Sequence, residues 1–230
     1  MIEAIDVPFP LVAIGVTFGG LSGTLHGVRK RMDLFGALFV GVMTALGAAT
    51  VRDITLARVP SWLYSPLVGY AILGGIGGYL LGRTFSYMNR TIFYLDTMMI
   101  GVWVVFGCEL ALIYGQSAVS AVAVGVFTSV GGGLIRDVLC RDTPTAFSPT
   151  HFDAATGFLA SVVFVTTSAI FPSVFVPEVL TIGFGAVLRF VAVRKRWRTP
   201  SAVELSERLR GRESIYDPAT GVLERISRSS

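Results

Sequence analysis

Two Arg-Asp pairs inside apolar stretches are the residues of this sequence whose types and positions most suggest chemistry. Arg52 and Asp53 lie in TALGAATVRDITLARVP, and Arg136 and Asp137 lie in TSVGGGLIRDVL. Ionisable side chains within apolar spans commonly mark the path of an ion or a charged solute. Neighbouring helical residues point about 100° apart, so we expect the two members of a pair not to contact each other. One would face a pore while the other caps a helix or contacts lipid. The alternative is an arginine that snorkels to the interface beside an aspartate that caps a free N–H.

The three glycines that precede the second pair also need a physical reason. Each glycine weakens a helix by roughly 1 kcal/mol relative to alanine, and a glycine-rich stretch at membrane depth can release backbone carbonyls from the helical hydrogen bonds. Such carbonyls are suitable ligands for a partly dehydrated monovalent cation. The alternative is that the glycines permit close helix packing. We predict a pore or ion path along this stretch and its counterpart before the first pair, at Gly47, Ala48, Ala49, Thr50, Gly131, Gly132 and Gly133.

Few other residues suggest chemistry. Glu109 also lies in an apolar stretch and is a further candidate for a charged pore or gating residue; the alternative is a protonated, hydrogen-bonded carboxyl. His26 lies close to Arg29, which favours a position at the level of lipid headgroups. Cys108 and Cys140 give neither a disulfide framework nor metal-ligand spacing. No nucleophile has a base or a second acid placed for catalysis, so we predict no catalytic residues, no metal site and no enzyme.

Composition identifies the setting of these residues. The chain has 230 residues, of which 53% are hydrophobic and 15% are charged, against about 25% charged in soluble proteins. Runs of about 20 apolar residues recur, and each is long enough to cross a bilayer as a helix. We predict an all-α membrane protein with seven transmembrane helices, at roughly 9 to 28, 34 to 57, 62 to 82, 94 to 114, 117 to 140, 152 to 171 and 174 to 193.

An internal repeat organises these helices. Displaced by 84 residues, GVMTALGAATVRDITLARVP at 41 to 60 aligns without a gap to GVFTSVGGGLIRDVLCRDTP at 125 to 144, with seven identities in twenty positions. Three predicted crossings lie between the copies, so the copies enter the bilayer from opposite faces as an inverted repeat. Inverted repeats are typical of transport proteins, whose functional site lies at the repeat interface. We predict a transmembrane domain over 1–193, with repeat A at about 9–82, repeat B at about 92–171, and a seventh helix at about 174–193 that packs outside this 3+3 core.

The charge distribution predicts how the chain lies in the membrane. Lys and Arg concentrate after helices 1, 3, 5 and 7, which places the N-terminus outside and the C-terminus in the cytoplasm, in the cell inner (plasma) membrane. Residues 194–230 are predicted to form a basic cytoplasmic tail, where Ser201 and Glu204 could cap a helix that reaches about Arg210. We assign the net charge of +4 to anionic membrane lipids rather than to nucleic acid. The predicted headgroup-binding residues are Arg29, Lys30, Arg31, Arg194, Lys195 and Arg196.

Small residues at a spacing of four form two further faces. One contains Gly15, Gly19, Gly23 and Gly27 in the first helix, and the other contains Gly74, Gly78 and Gly82 in the third. Such faces allow helices to approach closely, either within a protomer or between protomers.

The pattern GLSGTLHGVRKRMDLFG, followed by TALGAATVRDITLARVPSWL and by GGGLIRD at the matching place in the second half, resembles the bacterial trimeric intracellular cation (TRIC) channel family, whose domain is also catalogued as a glycine-transporter domain. The resemblance covers roughly residues 10 to 190. It implies seven helices, an inverted 3+3 repeat, a homotrimer with one pore per protomer, and potassium as the permeant ion without any cofactor. Its relatives place the pore along kinked second and fifth helices, which correspond here to Gly47 to Asp53 and Gly131 to Asp137.

The chain departs from this family pattern at two places. Ala48 and Ala49 replace two of the usual three glycines, which predicts a weaker or absent break in the second helix. A lysine common near the end of the fourth helix appears here as Leu110, beside Glu109. We therefore predict a potassium-selective cation channel, with a carrier for glycine or another small solute as the alternative.

Overall fold

The computed structural model describes residues 9–82, 89–148, 152–173, 175–195 and 197, and the short segments 215–216 and 223–224. The described residues form seven α-helices, in agreement with the predicted all-α membrane fold. They are α1 (Phe9–Arg29), α2 (Leu34–Thr55), α3 (Leu67–Gly82), α4 (Asn89–Ile113), α5 (Ala118–Leu139), α6 (Asp153–Ile170) and α7 (Phe175–Arg194). Short 3₁₀ turns at Ser61–Tyr64 and Thr145–Phe147 follow α2 and α5. The tail contains an antiparallel pairing of Ile215–Tyr216 with Leu223–Glu224; its predicted helix lies outside the described residues.

The helices are apolar enough for a membrane, and their outward surfaces are apolar too. Within the described residues, α1, α2, α5, α6 and α7 are each long and apolar enough to span a bilayer, and α3 and the Met99–Ile113 part of α4 are shorter apolar helices. Large apolar side chains such as Phe35, Leu73 and Leu80 are exposed on the outside of the bundle. An apolar outer surface costs little free energy in lipid, where water is absent.

The bundle contains the two predicted repeats. Helix α1 packs against α2 and α3, α4 packs against α5 and α6, and the repeats meet mainly along α2 and α5. The backbone conformation at the helix ends also repeats. The described residues with positive φ form two pairs that are 84 positions apart: Arg31 (57°) with Gly115 (69°), and Ala57 (54°) with Arg141 (57°). Equivalent helix ends in the two halves therefore have the same backbone conformation.

The glycine faces of α1 and α3 are used within one protomer. A Cβ added at Gly19 would lie 2.9 Å from the Cα of Ala45, and one added at Gly27 would lie 2.8 Å from the Cα of Ala37, both on α2. On α3, a Cβ at Gly78 would lie 2.6 Å from the carbonyl oxygen of Leu21 on α1. Of the two possibilities for these faces, the structure shows close packing inside the protomer. The faces give no support to the predicted trimer.

Helix α7 has no counterpart in the repeat and packs on repeat B, against α4 and α6. The contact with α4 is close, since a Cβ added at Gly101 would lie 2.8 Å from the Cα of Ile182. Although α7 lies at the side of the bundle, its Arg189 is only 3% exposed. The seventh helix therefore directs a charged side chain into the protein interior.

Candidate functional site

Helices α2 and α5 cross where the predicted ion-path residues lie. A Cβ added at Gly47 would lie 3.4 Å from the Cα of Gly132, and one added at Gly132 would lie 2.5 Å from the carbonyl oxygen of Thr44. Gly131 faces α2 in the same way, because its added Cβ would lie 3.3 Å from the side chain of Val51. Glycine at these positions permits the two backbones to approach each other.

The predicted break in α5 is wrong, because α5 is continuous α-helix from Ala118 to Leu139. Helix α2 is likewise continuous from Leu34 to Thr55, which agrees with the expectation that Ala48 and Ala49 weaken or abolish a break there. The physical reason lies in the crossing: Gly131 and Gly132 are needed for close packing, and this packing is compatible with regular helical hydrogen bonds.

Gly133 differs from its neighbours, because it faces open space. An added Cβ there would meet only the Nη2 atom of Arg136, at 3.8 Å. It lines a cavity of about 130 Å³ between the helices, large enough for several water molecules. Its walls come from α1, α2, α4, α5, α6 and α7 and from the 3₁₀ turn after α5.

The predicted site residues divide into two groups at this cavity. Ala48, Gly132, Gly133 and Arg136 line it. Gly47, Ala49, Thr50, Gly131, Arg52, Asp53, Asp137 and Glu109 are not among its lining residues. Thr50 accepts a hydrogen bond from the indole N–H of Trp62 at 2.9 Å, and Glu109 is buried in α4 at 6% exposure.

Arg52 and Asp53 contact each other, so the expectation that they would not pair is wrong. The Nε and Nη2 atoms of Arg52 both lie 2.9 Å from Oδ1 of Asp53. The other carboxylate oxygen accepts the backbone N–H of Ser61 at 2.6 Å, and Arg52 Nη2 donates to the Ser61 hydroxyl at 3.0 Å. The arginine side chain is long enough to reach its neighbour despite the 100° rotation between them. The pair therefore joins the end of α2 to the following loop.

Arg136 and Asp137 repeat this arrangement at the end of α5. Arg136 Nε lies 2.9 Å from Oδ1 of Asp137, whose Oδ2 accepts the backbone N–H of Thr145 at 2.8 Å and its hydroxyl at 3.0 Å. Both aspartates thus cap a free N–H, as the alternative interpretation predicted. Arg136 additionally approaches the Ser22 hydroxyl at 3.4 Å. It differs from Arg52 in lining the cavity.

Asp153 and Arg189 also line the cavity, and the sequence analysis missed both. They form an ion pair between the first turn of α6 and the last part of α7. The signal was present for Arg189, which lies in the apolar run FGAVLRFVAV as Arg52 and Arg136 lie in theirs. The position of Asp153 at a helix start gave no comparable signal.

The predicted headgroup residues lie at one end of the bundle. Arg29, Lys30, Arg31, Arg194 and Lys195 are exposed, and Arg196 lies outside the described residues. Lys30 forms an ion pair with Asp142, whose carboxylate also contacts His26 Nε2 at 2.8 Å. Hydrogen bonds from Lys30 and His26 hold the pKa of the Asp142 carboxyl below its ordinary value. At the opposite end, Arg58 stacks over the Tyr114 ring at 4.4 Å.

A bundle of membrane helices with an inverted repeat and a charged cavity at the repeat interface is typical of membrane transport proteins. The sequence model of the glycine transporter family matches residues 10–83 and 93–169. The chain therefore belongs to the glycine transporter family. This result confirms the resemblance inferred from the two Arg-Asp motifs.

Curated relatives carry the name UPF0126. The chain is 32% identical over 133 residues to the UPF0126 membrane protein of Deinococcus radiodurans, covering 57% of this chain and 62% of the relative. It is 35% identical over 134 residues to the UPF0126 inner membrane protein YadS of Escherichia coli K12, covering 57% and 65%. The chain thus spans less than two thirds of the length of these relatives.

Solved structures match over a larger part of the chain. A structure described as a TRIC cation channel matches with a TM-score of 0.78 and 28% identity, covering 85% of this chain and 97% of the other. The TRIC trimeric intracellular cation channel orthologue of Rhodobacter sphaeroides matches with a TM-score of 0.75 and 25% identity, covering 80% and 95%. Both structures are described as cation channels.

Proposed function

We propose that this protein is a monovalent cation channel, with potassium as the permeant ion and an ion path beside the α2–α5 crossing of each protomer. The observation that carries the proposal is the cavity between the repeats, lined by Ala48, Gly132 and Gly133. Its lining arginines are each paired with an aspartate. A cation path requires this neutralisation, because an unpaired arginine would repel cations strongly in a medium of low dielectric constant.

The comparisons support a channel of this kind. Two solved structures, at 28% and 25% identity, are described as TRIC cation channels. A cavity of about 130 Å³ accommodates a partly hydrated monovalent ion, since one water needs only about 10–15 Å³ of such space. The lining residues include Thr44 and Ser129, and oxygen atoms of polar residues can replace part of a hydration shell.

We also propose a homotrimer with one such path in each protomer. The support is the Rhodobacter sphaeroides structure, which is described as trimeric. The glycine faces of α1 and α3 are already filled within the protomer, so subunit contacts would have to use other apolar surfaces. The exposed α3 side chains Leu73 and Leu80 belong to such a surface.

For the orientation in the membrane, we propose that the end containing Arg29, Lys30, Arg31, Arg194 and Lys195 faces the cytoplasm. Exposed Lys and Arg concentrate there, which is the pattern of cytoplasmic loops. Each such charge near anionic headgroups contributes about 1 kcal/mol of attraction. Anionic lipids are therefore the proposed partners of this end.

A carrier for glycine or another small solute is the second candidate, favoured by the description of the matched family. Flux measurements on purified protein in proteoliposomes distinguish the two. A channel gives rapid potassium efflux down its gradient with no glycine counterflow. Saturable glycine uptake with counterflow, at rates far below channel flux, would overturn the proposal.

A further inference from the structure

Two of the charged residues that line the cavity lie outside the two Arg-Asp motifs. These are Asp153 and Arg189, and the third charged lining residue is Arg136 of the second motif. Asp137 lies 2.9 Å from Arg136, and Asp153 pairs with Arg189, whose side chain is only 3% exposed. Together these two arginines and two aspartates contribute no net charge. Loss of the Asp153 carboxylate would therefore make the cavity wall more positive by one charge, as loss of the Asp137 carboxylate would.

Among the described residues, the Asp153–Arg189 pair has no equivalent at the opposite end of the bundle. Helix α7 has no counterpart in repeat A, and the position in repeat A that aligns with Asp153 is Gly69. Gly69 faces open space, with no atom within 4 Å of an added Cβ. The pair is thus added to what the inverted repeat supplies, at the end where α5 and α7 finish and α6 begins.

We propose that the Asp153–Arg189 ion pair determines the charge selectivity of the ion path, an inference that rests on the proposed channel function. Asp153 holds and neutralises Arg189, so that a cation can occupy the cavity. Without the carboxylate, the wall beside the path is more positive by one charge. At an effective dielectric constant of about 20, a change of one charge at about 5 Å changes the occupancy of a monovalent ion by well over tenfold.

Reversal potentials of purified full-length protein in planar bilayers, measured under a KCl gradient, test this inference. Asp153→Asn should reduce potassium conductance at least tenfold and shift the reversal potential toward that of chloride. Arg189→Gln should shift it toward that of potassium. The double variant Asp153→Asn/Arg189→Gln restores neutrality and should return the reversal potential close to the wild-type value. Opposite shifts in the single variants are not expected from a purely structural ion pair.

Asp142→Asn is the matched control, because it removes an ion-paired acid at the same end of the bundle but outside the cavity lining. Its reversal potential should equal that of the wild type. If one single variant fails to fold, the reversal potentials of the other single variant and of the double variant still test whether the ion pair sets the charge selectivity. Conducting variants with an unchanged reversal potential would overturn the inference and leave the channel function standing. A wild-type protein without potassium current would instead refute the proposed function itself.

Discussion

Asp53 and Asp137 make the same two contacts at opposite ends of the bundle. In each, Oδ1 lies 2.9 Å from the Nε of the preceding arginine. In each, Oδ2 accepts the backbone N–H of the residue eight positions later, at 2.6 Å for Asp53 and 2.8 Å for Asp137. The Arg-Asp motifs are therefore structural joints between a helix end and its following loop, and in repeat B the arginine of that joint also reaches the cavity.

Loss of either aspartate charge should destabilise the protein. In Asp53→Asn the Arg52 guanidinium stays buried without its counter-ion, and breaking a buried pair in this way costs about 3–5 kcal/mol. We expect the same for Asp137→Asn, measured as a lower melting temperature in detergent. Asp33→Asn is the control: Asp33 caps α2 by accepting the Gly36 N–H at 2.8 Å, and asparagine is an equally good cap. The control should melt at the wild-type temperature. If Asp53→Asn and Asp137→Asn also melt at the wild-type temperature, this account is contradicted.

Substitutions at Gly132 and Gly133 should separate packing from permeation. Gly132→Ala places a Cβ 2.5 Å from the Thr44 carbonyl oxygen, so the helices must move apart at a cost of about 1–3 kcal/mol. A Cβ at Gly133 has room, since its nearest neighbour is Arg136 Nη2 at 3.8 Å. Gly133→Ala and Gly133→Val should therefore melt at or above the wild-type temperature, because both residues favour a helix more than glycine does, while potassium conductance falls progressively as the cavity narrows. The measurements are thermal unfolding and unitary conductance. Unchanged conductance in folded Gly133→Val would remove this residue from the path.

The contact between Asp142 and the end of α1 should depend on pH. Lys30 and His26 lower the pKa of the Asp142 carboxyl from its ordinary value of 3.8. A carboxyl with a lowered folded-state pKa contributes stability that is present above the ordinary value and is lost as the pH falls below it. The groups are partly exposed, so the contribution is below about 1 kcal/mol. Melting temperatures between pH 7 and pH 3 should therefore show a small acid-dependent loss.

Asp142→Asn provides the comparison for this prediction. It should have a slightly lower melting temperature at pH 7, and the difference from the wild type should shrink as the pH falls through the acid range. A difference that stays constant with pH would mean that the carboxylate charge is not what stabilises the contact.

Cysteine labelling tests the proposed orientation. Ser117→Cys and Ser173→Cys lie in exposed loops at one end of the bundle, and an impermeant thiol reagent should label them in intact cells. Ser201→Cys, in the tail, should react only after the cells are opened. The native Cys108 and Cys140 are buried, and the unsubstituted protein serves as the background control. Labelling of Ser201→Cys in intact cells would reverse the orientation.

Much of the fold could be predicted from the sequence because it depends on local or periodic properties. The lengths of the apolar runs predict the seven helices. The Arg-Asp identities fix the repeat offset of 84 residues, which the positive-φ pairs Arg31 with Gly115 and Ala57 with Arg141 reproduce. The apolar runs and the repeated motifs can both be recognised from the order of residues in the chain, without any tertiary contact.

The candidate site was less predictable because it depends on tertiary contacts. The pairing of Arg52 with Asp53 requires a loop that returns to the helix end at Ser61, which helix periodicity does not reveal. From the sequence alone, Gly132 is compatible either with a break in α5 or with close helix packing. Its close approach to α2 in the structure shows that packing requires the glycine. Asp153 becomes recognisable only when α7 places Arg189 against it.

The most direct test of the central claim is the unitary current of purified wild-type protein in a planar bilayer with symmetric potassium chloride. The account predicts discrete openings without any solute gradient, and smaller openings in Gly133→Val with a melting temperature no lower than that of the wild type. A bilayer that contains folded protein and shows no unitary current would contradict it.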